Sequence, residues 1–411
     1  MVVVRIGGTF FPSSADRRIV MPDLEITNVE AAIAANPWKP WVFVRVETDA
    51  GITGYGEATT MPPERGIDRV NRFGDGLIGE NPFDTGVLFT PRSPVGRVDD
   101  TTRSALDIAL WDIKGKYFDC PIYDLLGGSI HGTKLRSYAN GWYTDIYADD
   151  RRDPAKFAAC AAAVVDAGYD AMKFDPFGNA WRRMDRADLN LSIDCVRAVR
   201  EAVGPDVDLL IEGHQRFSVP MAMEVANQLE PFHPAWFEEP TPPDVHALQK
   251  VAASSPVPIA TAESIRGIQN YPDLLHDTHV GIIQSDVIHV GGITNLYKVA
   301  AMADAEHVDI APHMASGWIT LAASLHVDTA IPNFMIQENF VEFAFPEWAD
   351  EIVDEPIETD DGCVQVPDRP GLGIELDWDA IESHSMDAHG DEINVIDLYA
   401  HRWEDRANVA E

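Results

Sequence analysis

Eight short apolar segments that each run into polar residues, a change of rhythm near residue 135, and an alternating hairpin pattern before it predict an α/β protein. The expected fold is a TIM-type (β/α) barrel with an α+β capping domain. The cap is expected to draw on residues 1–130 and on a C-terminal segment, 346–411, with the barrel formed by 131–345. At 411 residues and 45% hydrophobic, the chain can bury tuned titratable groups in such a core.

The elements follow in order. WVFVRVETDAGITGYGEA (41–58) alternates with period two and turns at Asp49-Ala50-Gly51, the pattern of a hairpin. In SALDIALWDIKGKYF (104–118), Leu106, Ala109, Leu110 and Ile113 recur at i, i+3, i+4 and i+7, the stripe of a helix. Leu125-Leu126-Gly127-Gly128 closes that region with glycine where a helix terminates. Barrel strands are expected at 135–142, 171–176, 209–214, 236–240, 258–263, 282–287, 309–313 and 334–339. From the third strand onward the step is about 25 residues, the length of a βα unit. Polar residues fall at the C-terminal ends of nearly every strand, where a closed barrel gathers its active site, and this argues against a doubly wound open sheet. Beyond residue 345 the chain is rich in Pro and Asp and is expected to pack back onto the small domain.

Charge excludes some functions. A net charge of −36 leaves no basic face for nucleic acid. No apolar run approaches the roughly 20 residues that cross a membrane. MVVVRIGGTF, at the start, has no basic region leading into an apolar stretch, so a cytoplasmic location is expected. The acid is spread along the chain, and only eight of the 31 basic residues are lysine. That distribution suits a halophilic protein, kept soluble in concentrated salt that screens its self-repulsion. Cys120, Cys160, Cys195 and Cys363 lack zinc-like spacing and are expected to be free, mostly buried thiols.

The strand ends carry the chemistry. Glu212 in IEGH, Glu238 in FEEP and Glu263 in TAES fall at one level on consecutive strands that converge on the barrel axis. Three bare carboxylates so close would repel and protonate, and a divalent cation resolves the conflict. All-oxygen ligation favours Mg²⁺, with Mn²⁺ as the alternative. Glu239 points to the opposite face from Glu238, because adjacent strand residues alternate, and Glu238 is chosen. His214 lies two residues beyond Glu212 on the same side of its strand, and His313 ends the seventh strand. Asp286 ends the neighbouring sixth strand and is expected to orient His313 and raise its basicity. No such partner is evident for His214, and the asymmetry suggests base and acid respectively. Lys173 ends the second strand, where a cation favours a developing anion, acts as a base if its pKa is depressed, or pairs with a ligand carboxylate. Glu338 ends the eighth strand, within reach of a substrate carboxylate. His233, His246, His276 and His289 are expected to be structural. There is no phosphate-binding glycine loop and no nucleophile elbow.

SALDIALWDIKGK with PIYDLLGG, then WFEEP, IIQSDVIHVGGIT, APH, MIQEN and VPDRPGLGIELD, occur in order along nearly the whole chain. Together they resemble the enolase superfamily, mandelate racemase subgroup, and most of all its acid-sugar dehydratases of the galactonate, gluconate and xylonate type. The resemblance implies metal ligands at Glu212, Glu238 and Glu263, a His–Asp dyad at His313 and Asp286, and the eighth-strand carboxylate at Glu338. The family's first ligand is usually aspartate. Asp208 is the nearest one but lies too early in its strand. Racemases of the subgroup carry Lys-x-Lys on the second strand, whereas this chain has Lys173-Phe174-Asp175, so that second base is absent. A histidine at the position of His214 is similar to the galactonate dehydratase arrangement.

The implied activity is a carbon–oxygen lyase: Mg²⁺-dependent dehydration of a C5 or C6 aldonate to a 2-keto-3-deoxy acid. His313 would take the C2 proton and His214 would protonate the departing 3-hydroxyl. A racemase or cycloisomerase of the same superfamily, or a catalytically retired binding relative, are the alternatives. The implied partner is a small sugar acid, and a homo-oligomer is expected. Specificity is expected in cap loops such as 8–38, with Arg17, Arg18, Trp38 and Trp41.

Distributed acid makes one prediction testable on the purified protein. Its thermal midpoint should rise as KCl is raised from low to molar concentration. A midpoint that stays flat or falls would remove the halophilic reading.

Overall fold

A computed structural model describes residues 23–96, 98–147 and 152–386. Arg17, Arg18 and the part of the 8–38 loop before residue 23 lie outside the described residues.

The small domain begins with an antiparallel meander, β1 (Ile26–Ala34), β2 (Trp41–Thr48) and β3 (Thr53–Glu57), in that order. The alternation in 41–58 thus forms the expected hairpin. Helices α1 (Glu64–Gly74) and α2 (Asp100–Phe118) cover one face of it. Helix α2 starts six residues before the apolar stripe because Asp99 caps it, accepting from the Thr102 amide at 3.2 Å. Strand β3 presses directly on α2. A Cβ at Gly54 or Gly56 would come within 2.2 or 2.0 Å of the Ala109 or Ala105 carbonyl oxygen, so only glycine fits. A short helix, α3 (Ile122–Leu126), ends at Gly127 as expected.

The barrel follows. Its strands alternate with helices: β4 (Lys134–Ala139), α4 (Pro154–Asp166), β5 (Ala171–Phe174), α5 (Arg186–Val203), β6 (Asp208–Glu212) and α6 (Val219–Leu229). Next come β7 (Trp236–Glu238), α7 (Val245–Ala252), β8 (Ile259–Thr261), α8 (Tyr271–Asp277) and β9 (Ile282–Ile283). The series ends with α9 (Val287–Val290), α10 (Gly292–Ala305), β10 (Asp309–Ile310), α11 (Trp318–Ala330) and β11 (Gln337–Asn339). Neighbouring strands from β4 to β10 pair in parallel, and β11 pairs in parallel with β4. A parallel bridge between Ile310 and Phe334 closes the ring. All eight expected strands form. Most are shorter than the sequence segments, because their polar ends leave the ladder and turn into the loops that carry the site.

The barrel interior holds one apolar residue from each strand or its edge: Tyr138, Ala171, Leu210, Trp236, Ala260, Ile282, Ala311 and Ile336. This layer is the floor beneath the polar groups. The four cysteines are free, as expected, but only Cys195 is buried and the other three are partly exposed.

The chain after 345 runs against both halves. Past α12 (Val341–Ala344), strands β12 (Thr359–Asp360) and β13 (Cys363–Gln365) form a hairpin, and β13 pairs antiparallel with β4 of the barrel. The last helix, α13 (Trp378–Ser383), lies against β1 of the cap, where the His384 carbonyl accepts from the Ala35 amide at 2.7 Å.

Buried acids join cap and barrel. Glu57, at the end of β3, accepts from the Gly317 amide at 2.7 Å and from the Thr320 amide and hydroxyl at 3.0 and 2.7 Å, which places a carboxylate at the N-terminus of α11. Asp107 of α2 does the same for α10, accepting from the Thr294 amide and hydroxyl at 2.9 and 2.6 Å. Asp112, one turn on, accepts from the Leu372 amide at 2.8 Å and ties down the C-terminal segment.

Burial pushes Asp107 up to about 7, although Thr294 opposes the shift. The folded state therefore holds this proton more tightly than the unfolded chain does. The resulting stability is present at low pH and is lost as pH rises through about 7. Asp107→Asn keeps a carbonyl acceptor for Thr294 and cannot titrate. Between about pH 5 and pH 8 the wild type should lose stability relative to this variant, by an amount on the order of a few kcal/mol at about 1.4 kcal/mol per pKa unit. A difference in urea midpoints that does not change over that range would contradict the assignment.

Candidate active site

The C-terminal rim of the barrel assembles the residues singled out in the sequence. Strand register sets the first pair: Glu212 on β6 lies opposite Glu238 on β7. Glu263 is not on a strand. It follows β8 through Ala262, whose φ of 99° turns the chain so that the carboxylate reaches the others. One oxygen from each of Glu212, Glu238 and Glu263 lies within 4.8 Å of the other two. The donor set is all carboxylate oxygen and largely buried, which fits a hard divalent cation.

Lys173, on β5, is the cation that this chain itself supplies. Its Nζ is 2.5 Å from Glu238, 2.7 Å from Glu338 and 3.6 Å from Glu212. Burial would lower its pKa, but these carboxylates outweigh that and hold it well above the usual lysine value. As placed, Lys173 is ion-paired with the carboxylates of the cluster. Glu238 responds in kind: burial raises a carboxyl, yet Lys173 holds it down to about 2. Glu212 and Glu263 are pushed up, chiefly by burial and, for Glu212, by its neighbour Glu238. Both oxygens of Glu338 are engaged, one by Lys173 and Asn140 and the other by the Met314 amide at 2.7 Å.

His313 and Asp286 form the expected dyad. Nδ1 of His313 is 2.7 Å from Oδ2 of Asp286, and Nε2 is 3.6 Å from Glu263, so the ring spans from its partner to the carboxylate cluster. Asp286 does not end a strand, however. It caps α9, with Oδ1 accepting from the Ile288 amide at 2.8 Å. Burial disfavours the His313 imidazolium, but Glu338, Asp286 and Glu263 raise its pKa to about 9.

His214 overturns two expectations. Strand β6 ends at Glu212, and His214 and Gln215 sit in a left-handed turn with φ of 46° and 57°, so strand alternation does not decide where the ring points. Nor does it lack a partner: Nδ1 is 2.7 Å from Oδ2 of Asp175. Arg216 contacts the same oxygen. The clue was in the sequence. Asp175 lies just past the end of the strand next to that of His214, as Asp286 lies past the end of the strand next to that of His313.

His289 was expected to be structural, but it stands beside the dyad. One helical turn after Asp286, its Nε2 is 3.9 Å from Asp286 and its Nδ1 3.3 Å from Arg266, which also reaches Thr101 of the cap at 2.7 Å. Burial, reinforced by Arg266 and Lys39, pushes His289 down to about 3 against the pull of Asp286. At neutral pH the charges acting on Asp286 are therefore those of His313 and Lys39. His233, His246 and His276 are exposed, away from this layer.

Of the cap residues, Trp38 is half-buried and stacks on Phe340 just past β11, with ring centroids 5.1 Å apart. Its neighbour Lys39 donates to the Ala315 carbonyl at 3.1 Å. Trp41 is fully buried against Phe345 and Trp348, a core residue and not part of a loop surface. Glu239 turns away from the cluster, with Oε1 accepting from Thr261 and from the Ala262 amide at 3.0 and 2.7 Å.

Comparison with known proteins agrees with this architecture. Residues 15–127 match the mandelate racemase/muconate lactonizing enzyme N-terminal domain, and residues 156–380 match the enolase C-terminal domain-like family. The chain belongs to the mandelate racemase/muconate lactonizing enzyme family of the enolase superfamily. It is 35% identical to a D-xylonate dehydratase of Haloferax volcanii over 89% of this chain and 90% of that one. It is 33% identical to a D-gluconate dehydratase of Thermoproteus tenax over 84% of this chain and 69% of that one. Among solved structures, an enolase superfamily member from Salmonella Typhimurium matches with a TM-score of 0.80 at 30% identity, covering 87% of this chain and 98% of that one. A mandelate racemase/muconate lactonizing enzyme from Jannaschia sp. matches at 0.79 and 31%, covering 88% and 97%. The described residues include no helix long and apolar enough to cross a membrane.

Within this family member the ion cluster is also a stability element. Lys173→Met leaves Glu238 and Glu338 without their shared cation, and removing one partner of a buried ion pair typically costs about 3–5 kcal/mol. The variant should melt well below the wild type in metal-free buffer. An unchanged midpoint would mean that the carboxylates are neutralised in another way.

Proposed function

We propose that the chain is a sugar-acid dehydratase that removes water from an aldonate to give a 2-keto-3-deoxy acid. The observation that carries the reading is the pair of His–Asp dyads flanking one carboxylate cluster. His214 follows the third barrel strand and His313 the seventh, four apart in a ring of eight and so on opposite sides. The relatives support the substrate class, since those named above are dehydratases of D-xylonate and D-gluconate.

Glu212, Glu238 and Glu263 would hold Mg²⁺, with Mn²⁺ as the substitute. When bound, that cation supplies stabilisation of the charge that develops on the substrate carboxylate as its α-proton leaves, and it offsets the Glu263 charge that keeps His313 protonated. His313, held by Asp286, takes the C2 proton on Nε2. His214, with Nδ1 on Asp175, gives a proton to the 3-hydroxyl as the C3–O bond breaks and water departs. The resulting enol gains a proton at C3 and loses the proton of its 2-hydroxyl, which leaves the 2-keto acid. Each transfer contributes roughly 10²–10⁴-fold. Lys173 holds Glu238 and Glu338 in place by ion pairs. Racemases of the subgroup carry their second base at the Lys-x-Lys position, where this chain has Asp175, engaged by His214 and Arg216.

D-gluconate, D-xylonate, D-galactonate and D-arabinonate should be screened for release of a 2-keto acid, read as semicarbazone absorbance. At least one should react, with activity lost in EDTA and restored by Mg²⁺. Glu238→Gln should lose both activity and Mg²⁺ binding measured by calorimetry, while keeping its circular dichroism spectrum. Product formed without a divalent ion, or no product from any of the four, would defeat the proposal.

A further inference from the structure

We propose that Asp175 and Arg216 are positioning residues that aim His214 into the site; this rests on the reading of His214 as the acid. The two loops concerned are built as one seat. Asp175 is fixed from its own side, where Oδ1 accepts from the Phe177 amide at 2.8 Å. Oδ2 accepts from His214 Nδ1 at 2.7 Å and from Arg216. Arg216 is in turn held at two further points: it donates to the Gly213 carbonyl at 2.9 Å and the Gly178 carbonyl at 2.6 Å. All three side chains are largely buried.

The backbone repeats the linkage. The Arg182 amide donates to the Arg216 carbonyl at 2.8 Å, and the Ser218 amide donates to the Arg182 carbonyl at 3.0 Å, so the loop after β5 is laced to the loop after β6. The turn is also pinned to the strand beyond it, with the Gly213 and Gln215 amides on the Glu238 and Glu239 carbonyls at 2.8 and 2.7 Å. A Cβ at Gly213 would stand 2.8 Å from both of those oxygens, which is why a glycine lies between Glu212 and His214. A left-handed turn held on both sides, with a carboxylate behind the ring, fixes the imidazole so that Nδ1 carries the hydrogen toward Asp175 and Nε2 serves the substrate.

Charge makes Asp175 and Arg216 a unit. A buried guanidinium that has lost its carboxylate is strongly unfavourable, and so is a lysine beside it. The position that carries a second base in the racemase pattern is thus given over to orienting an acid.

The test separates orientation from folding. In D₂O, with whichever of the four aldonates the wild type dehydrates, Asp175→Asn should lower kcat for dehydration by about 10²-fold, the scale of a misplaced catalytic group, with KM little changed. C2-proton exchange, followed by proton NMR, should persist, because His313 and Asp286 are untouched. Arg216→Lys, which keeps the charge, should recover part of the loss seen in Arg216→Met. A purely structural role would lower dehydration and exchange together, and unchanged dehydration in Asp175→Asn would overturn the proposal. A second measurement needs no substrate. In ¹⁵N-histidine-labelled protein, with His214→Asn for assignment, His214 should carry hydrogen on Nδ1 in the wild type and lose that preference in Asp175→Asn. A wild-type His214 with hydrogen on Nε2 alone overturns the seat whatever the activity. If His214→Asn keeps dehydration, the acid assignment fails instead, and the two failures are distinct.

Discussion

Negative charge concentrated on the barrel axis is the constraint that the rest of this molecule meets. Glu212, Glu238 and Glu338 are all buried within reach of one ammonium group, that of Lys173. Each unpaired carboxylate in such a place would cost several kcal/mol or simply protonate. The surroundings are arranged accordingly. Trp236 gives its indole N–H to Glu238 at 2.8 Å, Asn140 gives its amide to Glu338 at 2.7 Å, and Tyr138 presents its ring to Lys173 with 5.5 Å from Nζ to the centroid. Still, a single lysine does not balance these carboxylates together with Glu263. The remaining deficit, with three oxygens already within 4.8 Å, is the physical reason to expect a divalent ion in a place built otherwise for stability.

The cap solves a related problem by other means. Glu57, Asp107 and Asp112 are buried too, but each is satisfied by backbone amides at a helix start or a chain turn. A carboxylate at a helix N-terminus meets unpaired N–H groups and the positive end of the helix dipole. These contacts fix the cap on α10 and α11, two of the helices that surround the base side of the site. The rim is therefore a shared product of both domains: Lys39 and Trp38 come from the cap and Phe340 from the barrel, while Arg266 links Thr101 of α2 to His289 behind Asp286.

Much of this was legible in the sequence, and what was not has a physical reason. Period-two and period-3.6 patterns located the hairpin and α2, because burial of one face imposes those periods, and the eight strands showed as short apolar segments that run into polar residues. The acids at strand ends were found because parallel strands keep their ends level. Glu212 opposite Glu238 is that rule at work. The rule fails once the strand stops. Ala262, His214 and Gln215 have positive φ, so Glu263 and His214 are placed by turns that strand alternation does not describe. His289 was misjudged for a similar reason, since its approach to Asp286 depends on α9 starting at Asp286, which a strand reading hides. Asp175 was seen only as a missing lysine, and the charge that it contributes was overlooked.

The two dyads are alike in geometry and differ in what stands behind them. Asp286 gives Oδ1 to a backbone amide and Oδ2 to His313, and its other close neighbour, His289, is neutral near pH 7. Lys39 shares in the Asp286 charge, and Glu338, Asp286 and Glu263 together raise His313 to about 9. Asp175 must divide Oδ2 between His214 and the permanently charged Arg216. The His214 ring therefore faces a carboxylate already paired with a cation, whereas the His313 ring faces one whose other oxygen is held only by a backbone amide. On the proposed reading, that difference suits His313 to accept the C2 proton and His214 to deliver one to the 3-hydroxyl. The charges standing behind two otherwise similar histidines are thus what would give the reaction its direction.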